Sequence, residues 1–449
     1  AALTITNLID LNEDLIIGGT NAGTGATVHN LTASGAVALG SGDRVITVES
    51  PTVTFTVSGV VSSTGGGLIK DGDGILQLNN AANSYTGDTR VKRGLLRQGG
   101  ANVLAGSDLI VESAGTVDMN GNAMTVRSLS GEDGQHGGVI TNNANNTQTL
   151  TVGDVLASLD TTFAGIVTDN RAVQGSSRVN LVKTGDSRQK LAGLNSYGGT
   201  TVVNSTTTTL GGGGHLQVGV GGVGQTGTGA TTVNAGSTLS GSGLINGTPG
   251  STTHVIASAG TLSPGDSYGT VNGVLTFNGN LTLAAGSQSL LQVTSRTAHT
   301  TSVSSGGYVN AATSLGAELN TLNNTALPLG AHDALQINGT LNATGGNATT
   351  LFRVLDNGYL ANAAAGDVFD LLDWTVGVTF TTFSAGTNFR AGGTGGGDLE
   401  LPTLLGGNTW DVSAFTSHGL LVVVPEPSKA MLLFGSLLLM CFYRRRRAA

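Results

Sequence analysis

Two stretches of the sequence decide the fold: LIKDGDGILQLNNAANSYTGDTRV (residues 68–91) and LVKTGDSRQKLAGLNSYGGTTVVN (residues 181–204). Each begins Leu-aliphatic-Lys-x-Gly-Asp and reaches a leucine six residues after that glycine, Leu78 in one copy and Leu191 in the other. Asn-Ser-Tyr and then Gly and Thr follow in both, once a gap of one residue is allowed. A unit that recurs within one chain indicates stacked repeats, because one copy alone cannot bury its apolar face.

Apolar and polar residues alternate in many other short stretches. TVTFTVSG (52–59), TQTLTVG (147–153) and VLTFNGNLTLAAG (274–286) are examples. A period of two predicts strands with one buried face and one solvated face. The composition agrees with this: the chain has 72 glycines, 4% aromatic residues and 11% charged residues, against roughly 25% charged residues in an average globular protein. The sequence therefore predicts an all-β protein with a core of Val, Leu and Ile.

The repeats favour a solenoid over a sandwich or a barrel. We predict a parallel, right-handed β-helix over residues 1–290, with roughly 15 coils about 4.8 Å apart. Stacked asparagine and threonine side chains would pair along its axis. Residues 291–424 carry more large apolar side chains, and we predict that they form a β-rich closing segment over the open end of the core. Residues 425–449 form a third unit.

The repeat resembles the autotransporter-associated β-strand repeat, whose pattern is roughly G-x-L-x-K-x-G-x-G-x-L-x-L followed by N-x-Y-x-G-x-T. The first copy matches it at Gly66, Leu68, Lys70, Gly72, Gly74, Leu76, Leu78, Asn83, Tyr85, Gly87 and Thr89. The second copy departs from it at Ser187 and Gln189, where Gly and Leu are expected. The resemblance covers residues 65–97 and, less fully, 179–204. It implies a secreted parallel β-helix and no particular activity.

The C-terminal unit combines three features in a fixed order. They are the residues Pro425, Glu426 and Pro427, a 14-residue apolar run over 430–443, and the arginines Arg444, Arg445, Arg446 and Arg447. A helix needs about 20 apolar residues to span a bilayer comfortably. The run therefore predicts a short, marginal transmembrane helix, and the arginines would act as a positive-inside membrane stop.

This order of features resembles the PEP-CTERM sorting signal, and the preceding FDLLDW stretch is similar to secreted bacterial proteins with such tails. The resemblance implies processing by an exosortase-type membrane enzyme in a Gram-negative host that makes exopolysaccharide and forms biofilm. The inner membrane would then hold the chain only transiently, before it reaches the cell envelope, the outer surface or the extracellular matrix. A plain C-terminal membrane anchor stays open as the alternative.

Charge and cysteine usage fit an exported protein. The formal net charge is −8, and it becomes −12 when the four terminal arginines are left out. Such an acidic body argues against nucleic acid as a partner, because phosphates need a basic face. The single cysteine, Cys441, rules out a disulfide framework. Because the sequence starts at Ala1, we expect that a signal peptide has been removed.

One cluster deserves comparison with polysaccharide-cleaving enzymes, which commonly use β-helices. Such sites need carboxylates on neighbouring coils, and Lys70, Asp71, Asp73, Asp88 and Arg90 are the best local candidates. However, Lys70 occupies a consensus position of the repeat, and the two aspartates flank glycines. We interpret the cluster as turn chemistry.

The other candidates favour structural roles. The group Asp10, Asn12, Glu13 and Asp14 offers mixed oxygen ligands but lacks the glycine and distal glutamate of a calcium loop, so a solvated turn is favoured. No two of the histidines lie at metal-ligand spacing, which favours surface or turn positions; they are His29, His136, His215, His254, His299, His332 and His418. The repeated tyrosines, Tyr85 and Tyr197, are interpreted as packing residues rather than sugar-stacking rings. We therefore predict no catalytic, cofactor-binding or metal site.

The sequence is compatible with two functions. The favoured one is an exported, non-catalytic structural or adhesive protein that contacts exopolysaccharide or cell-surface carbohydrate through many weak contacts. The alternative is a secreted polysaccharide lyase or hydrolase on the same scaffold. Convergence of Asp71, Asp73 and Asp88 in one groove would favour the alternative.

Overall fold

A computed structural model gives the structure of the chain, and it describes most of the residues. These are residues 3–18, 30–104, 106–156, 158–170, 175–210, 213–265, 271–294, 332–346, 350–364, 367–386, 389–390 and 397–425. Within these ranges no helix has the length and apolar character that crossing a membrane requires. The short transmembrane helix predicted over 430–443 lies outside the described residues.

The chain winds through three parallel sheets, which we call faces A, B and C in the order in which each coil visits them. The first coil contributes β1 (Leu3–Ile5) to face A, β2 (Ile9–Asp10) to face B and β3 (Leu15–Ile17) to face C. The next coil lies directly on it, with Leu3 opposite Leu31 and Leu15 opposite Ile46. The pairing is parallel and repeats along the chain, which confirms the predicted parallel β-helix; its right-handed sense stays a prediction.

Each face continues from coil to coil through backbone pairing. Face A also contains β4 (Leu31–Ala33), β7 (Thr54–Val57), β10 (Ile75–Leu78), the second halves of β11 (Thr89–Gln98) and β12 (Asp108–Asp118), β15 (Val139–Thr141), β18 (Ile166–Val167), β25 (Leu244–Ile245), β28 (Val274–Phe277), β31 (Ala334–Ile337) and β35 (Leu372–Trp374). Between β18 and β25 the Ser196 N–H donates to the Val167 oxygen, and single bridges join Leu194 to Gln225 and Gln225 to Leu244.

Faces B and C run beside it. Face B contains β5 (Val37–Ala38), β8 (Val61–Ser62), β13 (Met124–Val126), β16 (Thr147–Val152), β19 (Arg178–Lys183), β21 (Thr201–Val203), β23 (Thr231–Val233), β26 (Thr253–Ile256), β29 (Asn280–Leu283), β32 (Thr340–Thr344) and β36 (Gly377–Thr381). Face C contains β6 (Arg44–Val48), β9 (Leu68–Asp71), the first halves of β11 and β12, β14 (Ser128–Ser130), β17 (Asp160–Phe163), β20 (Arg188–Leu191), β22 (His215–Val218), β24 (Thr238–Gly241), β27 (Thr261–Pro264), β30 (Gln288–Val293), β33 (Phe352–Asp356) and β38 (Leu399–Glu400).

The core follows the alternation read from the sequence. Phe55 and Val57 on β7, and Leu281 and Leu283 on β29, are fully buried, because every second side chain of a strand points into the solenoid. Asparagines stack where face A turns into face B. Asn278 donates its side-chain amide to Asn246 (3.4 Å), and Asn338 donates to Asn278 (2.7 Å). The predicted asparagine stacking is therefore confirmed at this corner.

Residues 291–424 combine further coils with a sheet of another kind. Parallel pairing crosses residue 290, since β30 pairs with β33 and β29 pairs with β32. An antiparallel sheet is formed by β34 (Val368–Asp370), β37 (Phe389–Arg390), β39 (Asn408–Asp411) and β40 (Leu420–Pro425), with the short helix α1 (Phe415–His418) and the 3-10 turn η1 (Leu360–Asn362) nearby in the chain. Aromatic rings fill this part: Phe369 lies 4.8 Å from Tyr359 and 5.8 Å from Trp410, measured between ring centroids.

Candidate functional site

The first repeat copy turns from face C to face A around a buried lysine. The Lys70 ammonium donates to the backbone oxygens of Asp71 (2.7 Å), Gly72 (2.6 Å) and Arg93 (3.0 Å). Burial lowers the pKa of Lys70 to about 8. Asp71 and Asp73 both face the Arg93 side chain, at 3.5 and 3.4 Å. These groups therefore satisfy one another at a corner of the coil, as the turn interpretation predicts.

The second copy repeats the local arrangement at another corner, where β19 on face B turns into β20 on face C. The Lys183 ammonium donates to the oxygens of Thr184 (2.6 Å) and Gly185 (3.2 Å), and burial lowers its pKa to about 8. Tyr85 and Tyr197 are both buried, and their hydroxyls hydrogen-bond Thr89 and Thr201 at 2.7 Å. The packing role of the two tyrosines is confirmed, and neither ring is available to stack on a sugar.

Gln189, one of the two departures from the repeat pattern, links two strands of face C that are not paired through their backbones. Among the described strands β14 pairs only with β12, and β17 only with β20. The buried Gln189 amide spans this break: its oxygen accepts from the Leu129 N–H (3.2 Å) and its nitrogen donates to the Leu129 oxygen (2.9 Å). A side chain thus replaces the missing backbone pairing on face C.

The prediction of surface or turn positions is wrong for His254 and His332, and His215 lies half-buried on β22. His254 and His332 are buried, not at the surface or in exposed turns. His254 points into the core from β26, where its Nδ1 accepts from the Thr231 N–H (3.1 Å) and its Nε2 lies 3.2 Å from the Asn278 oxygen. Burial lowers the pKa of His254. A neutral imidazole can accept from one backbone group and donate to the other. The sequence alone does not show that such partners are present. His29 and His299 lie outside the described residues.

An exposed group of possible metal ligands was missed by the sequence reasoning. Glu132, Asp133 and His136 bring their ligand atoms within 4.8 Å of one another. His136 Nδ1 lies 2.7 Å from the Asp133 carboxylate, and this hydrogen bond lowers the pKa of Asp133 to about 2. The search for histidine pairs could not find it, because the group uses a single histidine. The predicted turn at Asp10, Asn12, Glu13 and Asp14 is exposed.

Carboxylates stack where face B turns into face C. Asp88 and Asp108 occupy equivalent places in adjacent coils, since Thr89 pairs with Leu109. Arg127 donates its Nε to Asp108 at 2.9 Å and a second nitrogen to the other oxygen, and it also lies 3.7 Å from Asp154. Burial and then the nearby Asp108 raise the pKa of Asp88. Burial opposes ionisation of Asp108, but hydrogen bonds from Arg127 and Ser128 outweigh it and lower its pKa.

A groove opens beside Arg127, and we call it the corner groove. Its volume is about 300 Å³, and it is lined by Gly106, Thr125, Val126, Arg127, Gly153, Asp154 and Val155. A side chain on Gly106 would enter open space, whereas Gly153 is required by the close approach of the Thr184 backbone. Val155 is 69% exposed and Leu156 is 55% exposed. The corner groove thus joins a fixed guanidinium, a carboxylate and a hydroxyl to an aliphatic wall.

Face B presents an uncharged outer surface next to this groove. One outward column contains Thr125, Thr151, Val182, Val202, Thr232, Val255, Thr282, Asn342 and Thr379. In the described face B strands from β13 to β36, Arg178 is the one ionic side chain that points outward, since Lys183 is buried. Face C differs, because Arg90 pairs with Glu112, Arg188 with Asp160, and Arg353 with Glu400.

The stacked parallel strands and the repeated turns define a β-solenoid. The passenger-associated-transport-repeat family matches residues 68–97 and 181–218. These ranges contain the lysine and tyrosine pairs described above. The match confirms the repeat resemblance at both copies and covers well under half of the chain.

A curated relative extends this likeness. The chain is 34% identical over 186 residues to the adhesin BmaC autotransporter of Brucella suis biovar 1 (strain 1330). The aligned part is 41% of this chain and 5% of that protein. The chain therefore spans only a small part of the length of the relative it matches.

The residues predicted to act in sorting lie at and beyond the end of the described structure. Pro425 is the last residue of β40, where it lies opposite Asn408. Glu426, Pro427 and the arginines 444–447 lie outside the described residues. The tail interpretation therefore stays a prediction.

Proposed function

We propose that this protein is an exported, non-catalytic adhesive solenoid of the cell surface or extracellular matrix. The observation that carries this proposal is the outer side of face B, where uncharged Thr, Val and Asn side chains recur coil after coil. A rigid row of equivalent groups suits many weak contacts with a repetitive partner, and avidity multiplies their strength. The likeness to an adhesin supports this assignment.

The positions of the three candidate aspartates do not favour the enzyme alternative. Asp71 and Asp73 lie at the corner between faces C and A, where they share Arg93. Asp88 precedes β11 at the corner between faces B and C. Because these carboxylates occupy different corners, Asp71, Asp73 and Asp88 do not converge in one groove.

The partners follow from the tail and the charge. We propose exopolysaccharide or cell-surface carbohydrate as the adhesive partner, and an exosortase-type enzyme as the processing partner. The order of Pro425, Glu426 and Pro427, the apolar run and the arginines supports this route. The acidic net charge of −8 disfavours nucleic acid.

Adhesion is tested with the full chain attached to beads. Beads that carry the folded chain should be retained on cells and on exopolysaccharide purified from the host, while beads carrying the heat-unfolded chain should wash off. Equal retention of both bead types would contradict the proposal. Reducing ends or unsaturated products released from the same polysaccharide would establish the enzyme alternative instead.

Sorting is tested separately. Replacing Pro425, Glu426 and Pro427 with alanine should leave the unprocessed chain in the membrane fraction. The matched control is the replacement of Pro51 and Thr52, a turn far from the tail, which should be released normally. Normal release of the tail variant would refute this route without touching the adhesive proposal.

A further inference from the structure

We propose that the corner groove binds a neutral sugar unit of a glycan chain, an inference that rests on the proposed adhesive function. The groove combines the two kinds of surface that a sugar ring presents. Arg127, Asp154 and Thr125 offer hydrogen-bond donors and acceptors for hydroxyl groups. The exposed side chain of Val155 offers an aliphatic wall for the C–H face of the ring.

The polar groups of the groove are held in place before any ligand arrives. Arg127 is fixed by two hydrogen bonds to Asp108 and by Asp154 at 3.7 Å. Asp108 is fixed in turn by the Ser128 hydroxyl at 2.7 Å. Binding therefore costs little side-chain ordering, which favours recognition by an otherwise small site.

The charged groups at the corner groove favour a neutral ligand over an anionic one. The single positive charge of Arg127 is shared by Asp108 and Asp154, and Asp88 lies close enough to act on it. Lys183 of the next coil also acts on Asp154, and Arg90 acts on Asp88, so the charges at this corner are paired. An anionic sugar would find Arg127 already paired with two carboxylates, whereas neutral hydroxyls can bond to both the guanidinium and the carboxylate.

The position of the groove fits a polymer rather than a free sugar. A volume of about 300 Å³ is at the lower limit for ligand pockets, so one small unit fits. Thr125 lines the groove and is also the first member of the outward column of face B. A glycan chain held at the groove would continue over the uncharged face, where further weak contacts add to its affinity.

The test uses defined oligosaccharides and a matched pair of variants. The full chain is titrated with laminarihexaose, cellohexaose and mannohexaose as neutral probes and hexagalacturonate as the acidic probe, and binding is followed by saturation-transfer NMR. We expect at least one neutral probe to bind and hexagalacturonate not to bind. The Val155→Arg variant fills the groove and should bind that probe at least roughly tenfold more weakly, a difference of about 1.4 kcal/mol.

The control is Val376→Arg, because Val376 is 70% exposed and Val155 is 69% exposed. This variant changes the net charge in the same way but lies away from the groove lining, so its affinity should equal that of the unmodified chain. Equal weakening by both variants, tighter binding of hexagalacturonate, binding of none of the neutral probes, or cleavage of a probe would each overturn the inference. Thermal unfolding of both variants verifies that they fold.

The two proposals fail in different ways. If bead adhesion persists in Val155→Arg and no neutral probe binds, the adhesive function stands and the groove assignment falls. If neutral probes bind at the groove but beads do not adhere to cells or exopolysaccharide, the groove assignment stands and the adhesive function falls.

Discussion

The two repeat copies, residues 68–97 and 181–218, keep the same local turn, although the first lies between faces C and A and the second between faces B and C, and they anchor it differently. Both bury a lysine that donates to its own turn, yet Lys70 also reaches the Arg93 oxygen in the next coil. Among the described residues, the Lys183 ammonium donates only to Thr184 and Gly185. The first corner is therefore tied to its neighbour along the axis, and the second mainly closes its own turn.

The copies differ again one strand later. Leu76 on β10 is an ordinary core residue, whereas Gln189 at the equivalent place on β20 bonds to the backbone of Leu129. The difference teaches that the repeat pattern specifies the corner, while the strand that follows adapts to the neighbouring coils. Substitutions in the two copies can break or sharpen this distinction.

Replacing the buried lysines should have the largest effect. Lys70→Met leaves three backbone oxygens without their charged donor, and Lys183→Met leaves two. We expect losses in the free energy of unfolding of roughly 3 and 2 kcal/mol, measured by chemical denaturation. Lys92→Met, which removes a half-exposed lysine of β11, is the control and should change little. A larger loss for Lys183→Met would contradict the cross-coil anchoring of the first copy.

The same lysines predict a pH dependence. Their pKa is about 8 in the folded chain and 10.5 when unfolded, so above pH 8 the unfolded state binds more protons and stability rises with pH. The window ends near pH 10, because the pKa values of Tyr85 and Tyr197 are raised from 10.0 to about 12 by burial and oppose the trend above it. The stability gap between the unmodified chain and the Lys70→Met/Lys183→Met variant should widen from pH 8 to 10; a constant gap would contradict burial of the ammonium groups.

The next largest effect on the free energy of unfolding is expected from replacing Gln189 on β20. Gln189→Leu restores the repeat pattern but leaves the buried Leu129 N–H without its partner, and we expect a loss of roughly 2 kcal/mol. Hydrogen exchange should show the loss at Leu129 on β14. Gln77→Leu, next to the equivalent position in the first copy, removes one half-buried bond to Asn79 and should cost less. Equal costs would show that Gln189 has no bridging role.

The fold was predictable because it rests on local signals. The alternation around Phe55, Leu150 and Leu281 gave strands, and the repeated Lys-x-Gly-Asp corners gave stacking. Lys70 could be recognised as part of a turn, since the flanking glycines belong to the pattern. Gly72, for example, has a φ of 78°, a left-handed conformation that favours glycine.

The corner groove was not predictable, because its parts come from three coils of unequal length. Asp108 and Arg127 are 19 residues apart, and Arg127 and Asp154 are further apart still. Conversely, Asp71 and Asp88 stand close together in the sequence but occupy different corners. Without the lengths of the coils, spacing along the chain cannot show which carboxylates meet.

Replacing the two buried tyrosines should give the smallest losses in the free energy of unfolding. The Tyr85 hydroxyl bonds to Thr89, which keeps a second partner in Ser107 at 2.9 Å. The Tyr197 hydroxyl bonds to Thr201 at 2.7 Å, and among the described residues the Thr201 hydroxyl has no second side-chain partner. Tyr85→Phe should therefore cost roughly 0.5 kcal/mol and Tyr197→Phe roughly 1.5 kcal/mol.

Thr201→Val measures the coupling, because its effect should be smaller in the Tyr197→Phe background than in the unmodified chain. The corresponding pair, Thr89→Val with Tyr85→Phe, should be coupled less, since Ser107 remains as a partner of Thr89. Equal coupling in both copies would mean that the neighbouring coil does not change the contribution of the tyrosine hydroxyls to stability, unlike that of the lysines. The distinction between the copies would then be confined to the corner and to the strand that follows it.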